Sequence, residues 1–374
     1  MPGTLAVTGW GIVASTGIGA DEFGKALADG ESGLRDVTTM FSEELPQPAA
    51  HAIVDFDVRD HLGRKRTSSL DRTTAFAVTA AGLALADSGV QLDDENRDET
   101  GIVLGNTMGS FRSIAEFDRE TLVNDRPYLV EPLLFPNSVM NCAASRCAIW
   151  HQLRGVNATI PAGRISAVSA LRYGGTLLQR GHARTLLLGA VEEFSAHRAW
   201  LEHHAHAGEP SRAPLGEAAA LLVTEDARAV RAAGRPMDAE ILATKVGHLD
   251  VTDRSTTPAD GLAQHVRSAL EAAGVTAAQV TTVVTGECGL SHVDTVEQAA
   301  VEAVFGTGPG RLKVADTLGD CGGASAAVQL AAVLALHRDA PGRDGQVSVV
   351  TSYDPEGGVG VVVLRAWSRR GVLR

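Results

Sequence analysis

Aromatic side chains are scarce: Phe, Trp and Tyr together make up 4% of the 374 residues. A core of ordinary density must therefore be filled mostly by Ala, Val and Leu. Cysteine is scarce as well. The four present, Cys142, Cys147, Cys288 and Cys321, form no CxxC pair and no metal-ligand spacing. That argues against a zinc module or a disulfide scaffold and for reduced thiols. No apolar run reaches the roughly 20 residues that span a bilayer, so no membrane partner is expected. The opening MPGTLAVTGWG has neither the charged nor the apolar region of a secretory leader, and a cytoplasmic protein is expected. Positive charge is outnumbered, 33 Lys and Arg against 45 Asp and Glu, for a net charge of −12. Such a chain repels a phosphate backbone, and no nucleic-acid partner is expected.

Glycine, by contrast, is plentiful at 40 residues, and Ala-rich stretches recur. Both suit closely packed α/β layers. Short apolar runs read as buried strands: LAVTG, GIVLG, TLLLGA, TTVVTG, VSVVTS and GVGVVVL. Between them lie segments of helical spacing, over Asp71–Ser88, after Ile165, and over Gly261–Ala273, Val293–Val304 and Ala324–Leu336. This alternation predicts an α/β fold with a mostly parallel sheet. The helices after Gly163 and Gly322 are rich in Ala, Gly and Ser, as expected of helices buried on all sides. The chain divides into comparable parts, 1–231 and 232–374, at the turn-like AAGRPMDAE.

Three local motifs invite chemistry, and each has a plainer reading. Gly9, Gly11 and Ala14 fit the GxGxxA form of a dinucleotide-binding turn or a structural turn. His197, His203, His204 and His206 suggest a metal site or a solvated loop; no carboxylate or Cys completes a site with metal-like spacing. Cys288, His292 and Asp294 order like a nucleophile, base and orienting acid, although such groups usually converge from distant segments.

Taken in order, longer motifs are similar to those of the β-ketoacyl synthase family. VTGWGIVASTGIGADEFGKALADGESGL resembles its first strand, turn and helix, and SLDRTTAFAVTAAGLALADSGV its next helix. FPNSVMN and RGVNATI resemble the approach to the nucleophile, and GEAAALLVTE the strand that closes the first half. TPADGLAQHVRSALEAAGV, DTVEQAAVEAVFG and GDCGGASAAVQLAAVLAL resemble helices of the second half. The resemblance implies a thiolase-like, five-layered α/β/α/β/α fold of two similar halves and a dimer. It also implies a Cys nucleophile at the N-terminus of a buried helix, with two His residues. The helix dipole stabilises the thiolate, and the imidazoles promote decarboxylation and hydrogen-bond the developing enolate.

This sequence departs at all three positions. Counting from the flanking motifs puts Arg164 at the nucleophile, Gly286 at the first His and Asp320 at the second. A nearby family Lys becomes Ala315, with Lys313 close by. A guanidinium is no nucleophile, so no catalytic residue is assigned, and no cofactor or metal is expected. The family's non-catalytic member is the chain-length factor of type II polyketide synthases. The resemblance therefore implies a heterodimer with a catalytic ketosynthase, fed by an acyl carrier protein. Aromatic-polyketide members commonly carry Gln at the nucleophile position. Arg164 points instead to the branch that makes reduced, polyene chains. Met108, Phe111, Ile114 and Phe117 fall where the family has its tunnel-end helix and are expected to line the tunnel, or else to pack an ordinary core. A buried Arg164 needs a partner, and a pair with Asp320 or Glu287 is expected to fill the pocket. Arg64, Lys65 and Arg66 form a basic cluster in reach of an acidic carrier, or a solvated loop. The alternative is a self-sufficient synthase or acyltransferase with a site rearranged around Cys288 or Cys321.

Overall fold

The computed structural model describes residues 3–132, 134–207, 213–250 and 255–369. Ten strands carry the architecture: β1 (Leu5–Ala14), β2 (Thr100–Asn106), β3 (Asn157–Pro161), β4 (Thr185–Glu192), β5 (Ala218–Asp226), β6 (Ala239–His248), β7 (Val280–Thr285), β8 (Gly310–Lys313), β9 (Val347–Tyr353) and β10 (Gly358–Ala366). Seven helices matter below: α1 (Arg72–Ser88), α2 (Phe111–Val123), α3 (Cys142–His151), α4 (Ser166–Gln179), α5 (Pro258–Ala273), α6 (Ser291–Phe305) and α7 (Ser325–Arg338).

The strand order shows a duplication. The first half runs β3-β2-β4-β5-β1 and the second β8-β7-β9-β10-β6. In each, the first three strands are parallel and the last two antiparallel to their neighbours. The halves meet where β1 pairs with β6 through Leu5↔Ile241, Ala6↔Glu240 and Val7↔Ala239, and they diverge beyond that point. Helices α4 and α7 fill the gap and touch strands of both halves. Helices α1 and α3 cover the outer face of the first half, and α5 and α6 that of the second. The result is the expected α/β/α/β/α layering.

Small residues make the middle layer possible. Nearly all of α7 is buried, and a Cβ on Gly174 of α4 would sit 2.3 Å from a Leu188 methyl. Helix α7 exposes no residue, whereas α4, expected to be buried on all sides, leaves Arg172, Tyr173 and Gln179 exposed on one face.

Three readings need correction. The sheet is mixed rather than mostly parallel, with five of the nine neighbouring pairs along the ten-strand path antiparallel. Gly9 and Gly11 lie inside β1 and form no turn. A Cβ on Gly9 would come 2.3 Å from Ser88 N, and one on Gly11 2.3 Å from Ala80 O. These glycines admit the backbone of α1 to the sheet, which leaves no phosphate-binding turn. The His-rich stretch is a helix, Ala196–Ala205, capped by Ser195, rather than a loop. His204 stacks on Trp200 and His203 meets it edge-on. Among the described residues no group of three or more His, Cys, Asp or Glu is placed to hold a metal ion. Likewise no described helix is long and apolar enough to cross a membrane.

Candidate functional site: an arginine where two central helices begin

Helices α4 and α7 each begin with a short 3-10 turn, Gly163–Ile165 and Gly322–Ala324, and the two turns touch. Gly163 holds φ at 55° and Gly322 at 51°, which glycine adopts without strain. Arg164 stands in the first turn, and Asp320 just precedes the second.

The three positions singled out by their departure from the family pattern converge here. Arg164 Nη1 donates to Asp320 Oδ1 at 2.8 Å, and Nη2 donates to the Gly286 carbonyl at 2.9 Å. The Arg164 side chain is 13% exposed and that of Asp320 2%. Burial is the largest influence and pulls the guanidinium pKa down, but the charge and hydrogen bond of Asp320, together with Cys288 and Glu297, hold the group above its ordinary value. Asp320 also accepts the Gly322 N–H at 3.0 Å. Behind it, Arg198, itself buried, donates to the Asp320 carbonyl at 3.1 Å and to those of Glu193 and Gly216.

Glu287 is not part of this pair. Its carboxylate takes Lys313 Nζ at 2.6 Å, Thr285 Oγ1 at 2.9 Å and Gln298 Nε2 at 3.2 Å. Two acids that sequence reasoning did not single out complete the surroundings. Asp354, which follows β9, accepts the Arg164 backbone N–H at 2.9 Å. Glu297 of α6 is fully buried, and a Cβ on Gly286 would lie 3.3 Å from its Oε1. Neither Glu297 oxygen makes a hydrogen bond of ordinary geometry among the described residues, and the Gly286 backbone gives only weak support. Burial pushes its carboxyl up to about 8, against the pull of Arg164. A side chain larger than hydrogen at position 286 would crowd this carboxyl.

Neither thiol is poised to attack. Cys288 is buried, and burial pushes it up to about 12 even with Arg164 nearby; Cys321 reaches about 12 for the same reason. Asp294 spends both oxygens on the Cys288 and Gly289 backbone N–H groups, at 2.8 and 3.0 Å, so it caps a turn.

An open cleft of ≈ 510 Å³ leads from the surface to Arg164 and Asp320, with Phe111 on its wall. Phe111 is buried, Ile114 and Phe117 are half-buried, and Met108 is exposed. All four lie on or just before α2, and Phe117 meets the exposed Phe135 ring at 5.9 Å. Arg64, Lys65 and Arg66 sit in an exposed turn.

This arrangement defines a thiolase-like fold with a buried salt bridge where its two central helices begin. The model of the β-ketoacyl synthase N-terminal domain matches residues 4–212, and that of the C-terminal domain matches residues 238–340. The chain belongs to the β-ketoacyl synthase family. It is 27% identical to a 3-oxoacyl-acyl-carrier-protein synthase 2 of Rhizobium meliloti, over 87% of this chain and 84% of that one. It is 28% identical to the actinorhodin polyketide putative beta-ketoacyl synthase 2 of Streptomyces coelicolor, over 81% and 78%. Among solved structures, a chain of the ishigamide ketosynthase/chain length factor superposes with TM-score 0.87 at 33% identity, covering 98% of this chain and 100% of that one.

Proposed function

We propose that this chain is a non-catalytic chain-length factor. It pairs with a catalytic ketosynthase and shapes the acyl tunnel while a polyketide, of the reduced polyene kind, grows on an acyl carrier protein. The observation that carries this reading is the Arg164–Asp320 salt bridge, tied also to the Gly286 carbonyl, in the position of a nucleophile. The group is charged, held by two partners and unable to accept an acyl chain. Bond formation is then assigned to the partner's thiol.

A partner also explains the surface. Leu122 is 83% exposed, Ile149 66% and Phe135 56%, with Tyr128, Leu129 and Met140 nearby in sequence. Helix α2, the turn Phe135–Ser138, α3 and β3 adjoin one another in that order. Strand β3 ends the sheet, with β2 on one side and no strand on the other among the described residues. A free edge beside large exposed apolar side chains is what a second subunit covers. The opposite edge, β8, is short and carries Arg311 and Lys313, a combination that discourages pairing.

The rival reading, a self-sufficient acyltransferase, lacks an activated nucleophile, because both candidate thiols are buried and protonated. Co-expression with a type II ketosynthase tests the proposal. One-to-one co-purification and malonyl-dependent chain extension by the pair, with none by this chain alone, is the expected result. A covalently acylated side chain on the isolated protein would overturn it.

A further inference from the structure

Strand β4 ends in Glu192 and is followed by a second acid, Glu193, and both are buried. They grip different elements. Glu192 holds Thr107 and, at 3.2 Å, the Gly323 N–H ahead of α7. Glu193 sits where the first turns of α1 and α2 converge. It accepts Thr73 Oγ1 of α1 at 2.8 Å. From α2 it accepts the Arg112 backbone N–H at 2.9 Å and the hydroxyl of the N-cap Ser110 at 3.2 Å. Ser110 in turn caps Ser113 N at 3.2 Å. An anion facing two helix N-termini stabilises both and fixes their separation.

We propose that Glu193 is the positioning residue for the tunnel-end helix: by clamping the first turn of α2 to α1 it sets the depth of Phe111 and Ile114, and through them the length of the product. This rests on the reading of α2 as the tunnel end. The Glu193 carbonyl also accepts Arg198 Nη1 at 2.9 Å, and Arg198 reaches Asp320, so one residue joins the α2 clamp to the filled pocket.

The clamp has a distinctive readout. The charged groups around Glu193 are Asp71 and Arg72 from α1 and Arg112 from α2. Burial raises its carboxyl to about 7, with the Arg112 N–H, Thr73 and Ser110 pulling against that and Asp71 adding to it. Protonation removes the anion from both helix ends.

The test uses the chain co-purified with its ketosynthase, with products sized by mass spectrometry between about pH 6 and about pH 8. The parent complex is expected to release a narrow length distribution at the alkaline end. The distribution should gain longer products on acidification, with its midpoint near 7. Glu193→Gln keeps an acceptor for Arg112 but no charge, and should give the acid-type distribution at every pH. Ser110→Ala should shift products the same way. Phe111→Gly serves as the control on α2 itself. If Phe111→Gly lengthens products while Glu193→Gln matches the parent at all pH values, the clamp is overturned and the tunnel reading stands. If Phe111→Gly and Ile114→Gly both change nothing, the clamp and the tunnel reading both fall.

Discussion

Arg164 Nη1 lies 2.8 Å from Asp320 Oδ1, and the two residues stand at the beginnings of the two central helices. A cation at a helix N-terminus meets a dipole of its own sign, so Arg164 depends on the anion beside it. Asp320→Ala leaves a buried guanidinium unpaired, a change that costs about 3–5 kcal/mol. The expected result is a clear fall in the Tm of the purified protein. Adding Arg164→Met to that variant should recover most of the loss, because the orphan charge leaves with it. An Asp320→Ala protein that melts with the parent would show that the pair carries no stability.

Placing a sulfur at position 164 should not give the chain ketosynthase activity. Arg164→Cys would face the Gly286 carbonyl and the Asp320 carboxylate, and a neighbouring anion disfavours the thiolate. Neither position supplies an imidazole to promote decarboxylation. The expected outcome is no acyl transfer from an acyl carrier protein, read as the absence of a mass shift on the variant. In the parent, Cys288 and Cys321, both pushed up to about 12 by burial, should resist iodoacetamide at neutral pH until the protein is denatured. Native labelling of either thiol would contradict their assignment as inert.

The layered fold was legible because its strands are short apolar runs and its middle helices are built from small residues; both patterns survive without any knowledge of partners. The convergence of 164, 286 and 320 was legible only as a set of departures from an ordered series of motifs. Which acid would pair with Arg164 was not legible. Glu287 follows Gly286 directly, and adjacency in sequence does not say which way each group faces. The Gly286 carbonyl faces Arg164 while the Glu287 side chain reaches Lys313. Asp354 arrives from a loop 190 positions away, and Glu297 looks in sequence like any polar residue of an amphipathic helix. Gly9 and Gly11 misled because a glycine needed for close helix–strand approach has the same spacing as one needed for a turn.

Glu297 should give the protein a pH dependence of definite sign. Its carboxyl is raised from 4.5 to about 8 by burial, so the folded protein holds this proton where the unfolded chain has released it. Between those values the native state binds more protons, and stability falls as pH rises, by up to about 1.4 kcal/mol per pH unit for a single group. Glu297→Gln removes the proton and should flatten the Tm–pH curve across that window. A Gln variant with the parent's slope would assign the effect to other groups.

The stop proposed on α2 gives the sharpest expectation about product length. Phe111 is buried against the cleft that leads to Arg164, and Ile114 follows one turn later, half-buried. Replacing either with Gly, in the complex with the ketosynthase, should open space at the end of the proposed tunnel. Each methylene that enters apolar surroundings gains about 0.8 kcal/mol, so a further two-carbon unit is favoured by roughly tenfold once the clash is gone. Products should lengthen by at least one unit, with the rate of the first condensations unchanged because the partner's thiol is untouched. Leu122→Asp, on the same helix but 83% exposed, should instead weaken pairing and lower total product without changing its length. A length distribution identical to the parent's in both Gly variants would remove α2 as the stop and leave the partner's own tunnel wall to set it.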